Sequence, residues 1–184
     1  MADFKILARK TVIKSRAFDV EKVDFRLPNG QQHSYDLVDH PDAVTILPID
    51  EQGEVYFVRQ YRVGAEALLL ELPAGVLDAG EEPSLAARRE LREEIGMDCQ
   101  SLEKIGEFYM SPGYSNEFMT VFLAFNLFPS PLAQDDDEFL EIVKIPLIQV
   151  FEMLKSQQII DGKTISSFLF ALPLLTEKFP KVKY

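Results

Sequence analysis

Apolar and polar positions alternate in the first forty residues. Val23, Phe25 and Leu27 take every second place, Pro28-Asn29-Gly30 supplies turn chemistry, and Tyr35 and Leu37 resume the alternation. A period of two predicts half-buried strands joined by a hairpin. Each strand carries few apolar residues, so this sheet is marginal alone and should pack on something else. A denser β pattern starts at Ala43. Val44, Ile46 and Leu47 run into the turn Asp50-Glu51-Gln52-Gly53, and Val55-Tyr56-Phe57-Val58 follows. Residues 68–72 form another strand, ended by Pro73-Ala74-Gly75.

The period then lengthens. Over 83–95, Ala87, Leu91 and Ile95 lie at i, i+4 and i+8, one apolar stripe on a helix. Pro83 suits its first turn and Gly96 its C-terminal stop. Strands are predicted over 105–110, 118–125 and 139–145. Helices are predicted over 147–155 and 163–179, with Pro173 kinking or breaking the second. No regular βαβ rhythm emerges, which favours an α+β, mixed α/β fold over a doubly wound sheet. There is no internal repeat and no low-complexity linker.

Composition narrows the class. The chain has 184 residues, 47% hydrophobic and 27% charged, as in an ordinary globular domain. No apolar run approaches a membrane span, and the N-terminus lacks the apolar core of a secretory signal. A single cysteine, Cys99, excludes an internal disulfide and a cysteine-built metal site. These features fit a cytoplasmic protein without membrane partners. The net charge of −11 gives no general attraction to a phosphate backbone, so nucleic acid is not an expected partner. A small phosphorylated ligand stays possible, because bound divalent cations invert the local field.

Acidic residues cluster twice, with six carboxylates over 78–94 and five over 135–141. In the first cluster Glu90 and Glu94 are one helical turn apart, with Glu93 beside them. They lie near the end of the predicted helix, where the macrodipole disfavours negative charge. Hard oxygen ligands at this spacing suit Mg²⁺ or Mn²⁺, bound through a few carboxylates, waters and substrate phosphates. Gly75 allows a sharp turn that exposes a backbone carbonyl at Ala74. On the residues alone two readings stand, a metal site and a solvated amphipathic helix.

The order Gly75, Glu81, Arg89-Glu90-Leu91, Glu93-Glu94 and Gly96-Met97 resembles the Nudix box at every fixed position. The resemblance implies an α/β/α sandwich that cleaves a diphosphate linked to another moiety. It implies Glu90 and Glu94 as main metal ligands, Glu93 as an additional one, and the Ala74 carbonyl as a further candidate. Glu81 and Arg89 become a structural pair, with Gly75 and Gly96 serving the backbone. Two or three Mg²⁺ ions are expected, with Mn²⁺ as the alternative.

Pro112 lies sixteen residues after Gly96, within Ser111-Pro112-Gly113-Tyr114-Ser115-Asn116-Glu117. This spacing is similar to the ADP-ribose pyrophosphatase branch, as are His40-Pro41-Asp42-Ala43-Val44 and the N-terminal strands. The branch implies residues 1–40 as a β extension that builds a homodimer with exchanged N-terminal strands, and 41–184 as the hydrolase domain. Arg62 matches a substrate-contacting arginine, and a guanidinium suits bidentate phosphate contact. Pro112 and Glu117 are further substrate-side residues. The acidic stretch Asp135-Asp136-Asp137-Glu138 matches a catalytic loop, with Asp136 at the general-base position and Glu138 touching metal. The branch carries glutamate where this chain has Asp136, so Glu117, Glu93 and Glu138 remain alternatives for the base. The expected reaction is Mg²⁺-dependent hydrolysis of ADP-ribose or a related nucleoside diphosphate sugar. Dinucleoside polyphosphates, NADH, or a non-catalytic nucleotide-sugar sensor are the alternatives; the intact glutamates disfavour the sensor.

Overall fold

The computed structural model describes residues 3–134, 139–180 and 182. Two compact units divide them. The first holds residues up to Asp42 together with Phe108–Phe118, and the second holds Ala43–Glu107 together with residues from Met119 onward.

In the first unit three antiparallel strands form one sheet in the order β1 (Lys5–Ile13), β2 (Asp19–Arg26), β3 (Gln32–Asp39). The register places Val23 opposite both Arg9 and Tyr35. Gly30 closes the β2–β3 turn at φ 86°, where a side chain would be strained. Its N–H donates to the Leu27 carbonyl at 2.9 Å. Val23 is the buried apolar residue here, whereas Ile6, Val12, Ile13 and Tyr35 are at least half exposed. The segment 108–118 is stitched to the end of β3. Val38 N–H donates to Tyr114 O at 2.8 Å, and Asn116 spans the join through Asp39 Oδ1 at 2.6 Å and His40 N–H at 2.8 Å.

The second unit carries two sheets and three helices. One sheet is antiparallel, β10 (Glu141–Pro146), β5 (Glu54–Arg62), β6 (Ala67–Glu71). The other runs β7 (Ala74–Val76), β4 (Ala43–Pro48), β9 (Phe118–Pro129), β8 (Met97–Tyr109). In it β4 pairs parallel with β9 and antiparallel with β7. Side-chain parity builds the layers. Val44 and Ile46 of β4 with Tyr56 and Val58 of β5 pack on Ala86, Ala87, Leu91 and Ile95, around helix α1 (Pro83–Glu94). The alternate residues Leu47, Val55 and Phe57 face Val150, Phe151, Phe168, Ala171 and Leu175 of α2 (Leu147–Lys155) and α3 (Gly162–Lys178). Strands buried on both faces between helices make the α/β/α sandwich.

Two elements differ from the sequence pattern. Strand β8 begins at Met97, well before the expected 105–110, because it lies at a sheet edge where polar Gln100, Glu103 and Lys104 meet solvent. Helix α3 continues through Pro173. Phe168, Ala171 and Leu175 flank that proline and are almost completely buried, and their packing outweighs a cost of about 3 kcal/mol for an interior proline. No described helix is long and apolar enough to cross a membrane.

Candidate active site

Strand β7 and helix α1 supply the centre of the site. The Thr45–Ala74 register places β4 on one side of β7, and the other side is its open edge. Ala74 N–H donates to Glu94 Oε2 at 3.0 Å, and Val76 O accepts from Arg89 Nη2 at 3.0 Å. The edge is therefore satisfied by side chains of α1 rather than by another strand. A strand residue turns its N–H and C=O to the same side, so the Ala74 carbonyl also points toward the Glu94 side. Between them, Gly75 passes directly under the Glu90 carboxyl group. A Cβ at position 75 would collide with that carboxyl, so glycine is what lets Glu90 lie against the strand where it does.

Glu90 and Glu94 are buried, at 7% and 2% exposure, although both are acidic. They share one face of α1 with the buried Ala86, Ala87 and Leu91 nearby. The helix opens with Pro83 in its first turn and ends before Gly96, which takes the left-handed φ of 69°. Carbonyls at that end are used: Leu132 N–H donates to Arg92 O in the last turn and Ser130 N–H to Gly96 O just past it, each at 2.9 Å.

Arg89 organises the acids. Its Nε and Nη2 grip Glu81 at 3.1 and 2.9 Å, and its Nη1 reaches Glu90 Oε1 at 2.6 Å and Glu93 Oε2 at 3.0 Å. The Glu81 bond, with Glu90 and Glu93 adding to it against burial, raises the guanidinium's proton affinity above the ordinary arginine value. Conversely, the Arg89 bond holds the Glu81 carboxyl below its usual range, and the Asp78 N–H adds to this against slight burial. The 77–82 loop is thus tied to α1 by the Arg89–Glu81 ion pair and braced internally by Asp78 N–H donating to Glu81 Oε2 at 3.0 Å.

The donor set fits a hard divalent cation. It is made only of oxygens: buried Glu90 and Glu94, partly buried Glu93, and a carbonyl edge at Ala74. Among the described residues no three acidic, histidine or cysteine groups converge in ligating geometry. A cation here would complete its shell with carbonyl, water and phosphate oxygens, as Mg²⁺ commonly does.

Arg62 closes β5 in the same unit. It is not a loose surface cation: Glu71 accepts from its Nε at 2.8 Å and its Nη2 at 2.7 Å. The Glu71 bond leads in raising its proton affinity against burial, and Asp161 and Glu94 contribute through charge. Pro112 and Glu117 belong to the first unit. Pro112 lies in a turn where Tyr114 and Ser115 N–H donate to Ser111 O, and Glu117 N–H donates to Ser115 Oγ at 3.1 Å. Asp136 and Glu138 lie outside the described residues. The structure therefore brings together Ala74, Gly75, Glu81, Arg89, Glu90, Glu93 and Glu94, with Glu94 acting electrostatically on Arg62.

Sequence reading did not anticipate Glu71, Lys163 or Asp161. Glu71 accepts from both Arg62 and Lys163 Nζ, and Asp161 Oδ1 lies 3.1 Å from the same ammonium. A signal was present: Glu71 is a lone charge in the apolar run 68–72, where an exposed alternation cannot explain it.

A family model described as NUDIX domain matches residues 39–168. The chain is 36% identical over 162 residues to an ADP-ribose pyrophosphatase of Bacillus subtilis (strain 168), covering 87% of this chain and 88% of the relative. It is 33% identical over 164 residues to the ADP compounds hydrolase NudE of Escherichia coli (strain K12), covering 88% of each. A solved structure titled as the crystal structure of an ADP compounds hydrolase superposes with a TM-score of 0.84 at 31% identity, covering 96% of both chains.

Proposed function

We propose that this chain, which belongs to the Nudix family, hydrolyses the diphosphate bond of ADP-ribose and related nucleoside diphosphate sugars. It is a hydrolase acting on pyrophosphate bonds, and the products here are a nucleoside monophosphate and a sugar phosphate. The observation that carries the reading is the pair of buried carboxylates, Glu90 and Glu94, packed against Gly75 and the open edge of β7. Two buried acids on one helical face are costly unless partners offset them. Arg89 offsets part of that cost at Glu90, and a divalent cation would offset more.

Glu90, Glu94 and the Ala74 carbonyl would hold Mg²⁺ or Mn²⁺, two or three ions in all, with Glu93 as an additional ligand. Cations bound there would neutralise diphosphate charge and lower the pKa of a coordinated water. Arg89 holds the Glu90 and Glu93 carboxylates in place through its Nη1 donors. Arg62 donates to a phosphate oxygen and orients the diphosphate. A carboxylate removes the proton of the attacking water, a role worth about 10²–10⁴-fold. Asp136 is the first assignment for it by position, with Glu138 toward metal and Glu117 and Glu93 as the other choices. Pro112 and Glu117 serve the nucleotide side. The enzyme works in the cytoplasm as a homodimer through residues 1–40.

A panel of nucleotide sugars, incubated with Mg²⁺ and resolved by anion-exchange chromatography, tests the substrate class. ADP-ribose should yield AMP and ribose phosphate in equal amounts. Release of inorganic phosphate alone, or cleavage confined to dinucleoside polyphosphates or NADH, would move the substrate elsewhere within the family.

A further inference from the structure

Glu71 ends β6 with its side chain completely enclosed, and it is shared by two cations. Arg62 meets both carboxylate oxygens in a fork, at 2.8 and 2.7 Å, and Lys163 Nζ donates to Oε2. Burial alone would push this carboxyl up; the bonds from Arg62 and Lys163 prevail and hold it below the usual range.

Lys163 occupies an unfavourable place by two criteria. It lies in the first turn of α3, where the macrodipole disfavours a cation, and it is only 7% exposed. Asp161 caps the same turn, accepting from Thr164 N–H at 2.9 Å and Thr164 Oγ1 at 2.7 Å. Thr164 Oγ1 in turn accepts from Leu72 N–H at 2.9 Å, just past Glu71. The cluster therefore locks the start of α3 to the end of β6, with two positive and two negative groups.

Arg62 is the member that reaches solvent. Its side chain is 43% exposed while that of Glu71 is 1% exposed. Nε and Nη2 are held by Glu71, and no described residue accepts from Nη1. A planar guanidinium gripped along one edge has its remaining donors fixed in direction. An arginine fixed in advance also gives up less rotamer freedom when a phosphate arrives.

We propose that Glu71 and Lys163 are positioning residues for Arg62: the buried pair holds the guanidinium in one rotamer and presents its Nη1 end to the diphosphate. This rests on the reading of Arg62 as the phosphate-binding arginine. Lys163 secures Glu71 from behind, so that the carboxylate stays ionised and does not follow Arg62 toward the substrate. Without the pair, Arg62 samples many rotamers and substrate binding weakens.

Steady-state kinetics with ADP-ribose and saturating Mg²⁺ separate the two ideas. The double variant Glu71→Gln/Lys163→Met removes one buried charge of each sign, so the cluster keeps its charge balance through Arg62 and Asp161, and replacement of a buried ion pair as a unit is often tolerated. Thermal unfolding confirms that it is folded. The expected result is a KM raised about tenfold with kcat changed by less than about threefold, in keeping with loss of a charge-assisted contact in substrate binding. In an Arg62→Ala background the same pair of substitutions should add nothing further to KM, because Glu71 and Lys163 act through Arg62. If the double variant does not fold, Glu71→Asp keeps the charge, shortens the reach by one methylene, and carries the same two expectations. An unchanged KM in the folded variant beside a raised KM in Arg62→Ala would overturn the positioning role and leave the phosphate-binding arginine standing. An unchanged KM in Arg62→Ala would overturn the reading of Arg62 and this inference with it. An equal KM increase in both backgrounds, or a loss confined to kcat, would make the pair structural only and also overturn it.

Discussion

Gly75 and Glu94 show how far single residues control this site. At Gly75 a methyl group would take the place of the Glu90 carboxyl, the movable end of its side chain, which must shift aside. Gly75→Ala should displace Glu90 from the edge of β7 and cost about 1–3 kcal/mol in stability, the usual range for overpacking. Activity should fall more steeply than stability, and a near-native kcat with a normal Tm would show that Glu90 is dispensable at that spot. Glu81 gives a second residue-level test. Its folded pKa is lowered, chiefly by the Arg89 bond. A carboxyl of this kind contributes stability that is fully present above its unfolded pKa, about 4.3, and is lost as pH falls through the folded value. The urea midpoint of Glu81→Gln should therefore change less than that of the wild type between about pH 6 and pH 3. Identical pH profiles would detach Glu81 from Arg89. For the proton acceptor, Asp136→Asn should lower kcat more than it raises KM. If Asp136→Asn and Glu138→Gln keep wild-type kcat while Glu117→Gln or Glu93→Gln loses it, the base is Glu117 or Glu93 and not a residue of the 135–138 stretch. Individual residues were legible where spacing is fixed, as in the run from Gly75 to Met97. Glu71 was not, because its partners Arg62 and Lys163 lie 9 and 92 positions away.

At the scale of elements, β7 and α1 work as one piece. The short strand is edge-exposed and three residues long, and it is held on one side by β4 and on the other by Glu94 and Arg89. The box is thus a strand edge sealed by a helix, which is why its glycine, glutamates and arginine come at set intervals. Helix α3 depends on Asp161 in the same way. Asp161→Ala removes the cap on Thr164 and one of the carboxylates facing Lys163. Calorimetry should show a loss of about 1–2 kcal/mol, the upper part of the N-cap range; an unchanged Tm would mean that the cap is replaced by solvent. The core strands β4 and β5 and helix α1 were legible because their apolar periods are strong. The early start of β8 was hidden by its polar edge positions, and the continuity of α3 through Pro173 is decided by tertiary packing that no local pattern reports.

For the whole molecule, charge and surface point in different directions. The net charge of −11 disfavours polyanionic partners, so in the proposed reaction a negatively charged substrate would depend on local groups such as Arg62 and bound cations. The first unit exposes Ile6, Val12, Ile13 and Tyr35 on a three-stranded sheet with little core of its own, and Phe4 just before it. That surface supports the proposed homodimer, and analytical ultracentrifugation of the full chain at micromolar concentration should give the mass of two copies. Deletion of residues 1–40 should give a monomer or an aggregate with weak substrate binding. A full-length monomer at that concentration would contradict the dimer.

The central claim is that the buried acids of α1 drive cleavage of a diphosphate. It is tested most directly by ³¹P NMR of ADP-ribose with Mg²⁺, run in parallel with wild-type protein and Glu94→Gln. The wild type should convert the paired diphosphate resonances into two monophosphate resonances. Glu94→Gln, folded as judged by its Tm, should do so at least about 10²-fold more slowly, as expected for loss of a metal ligand. Diphosphate resonances that persist with the wild type, or a Glu94→Gln variant that turns over at the wild-type rate, would contradict the account.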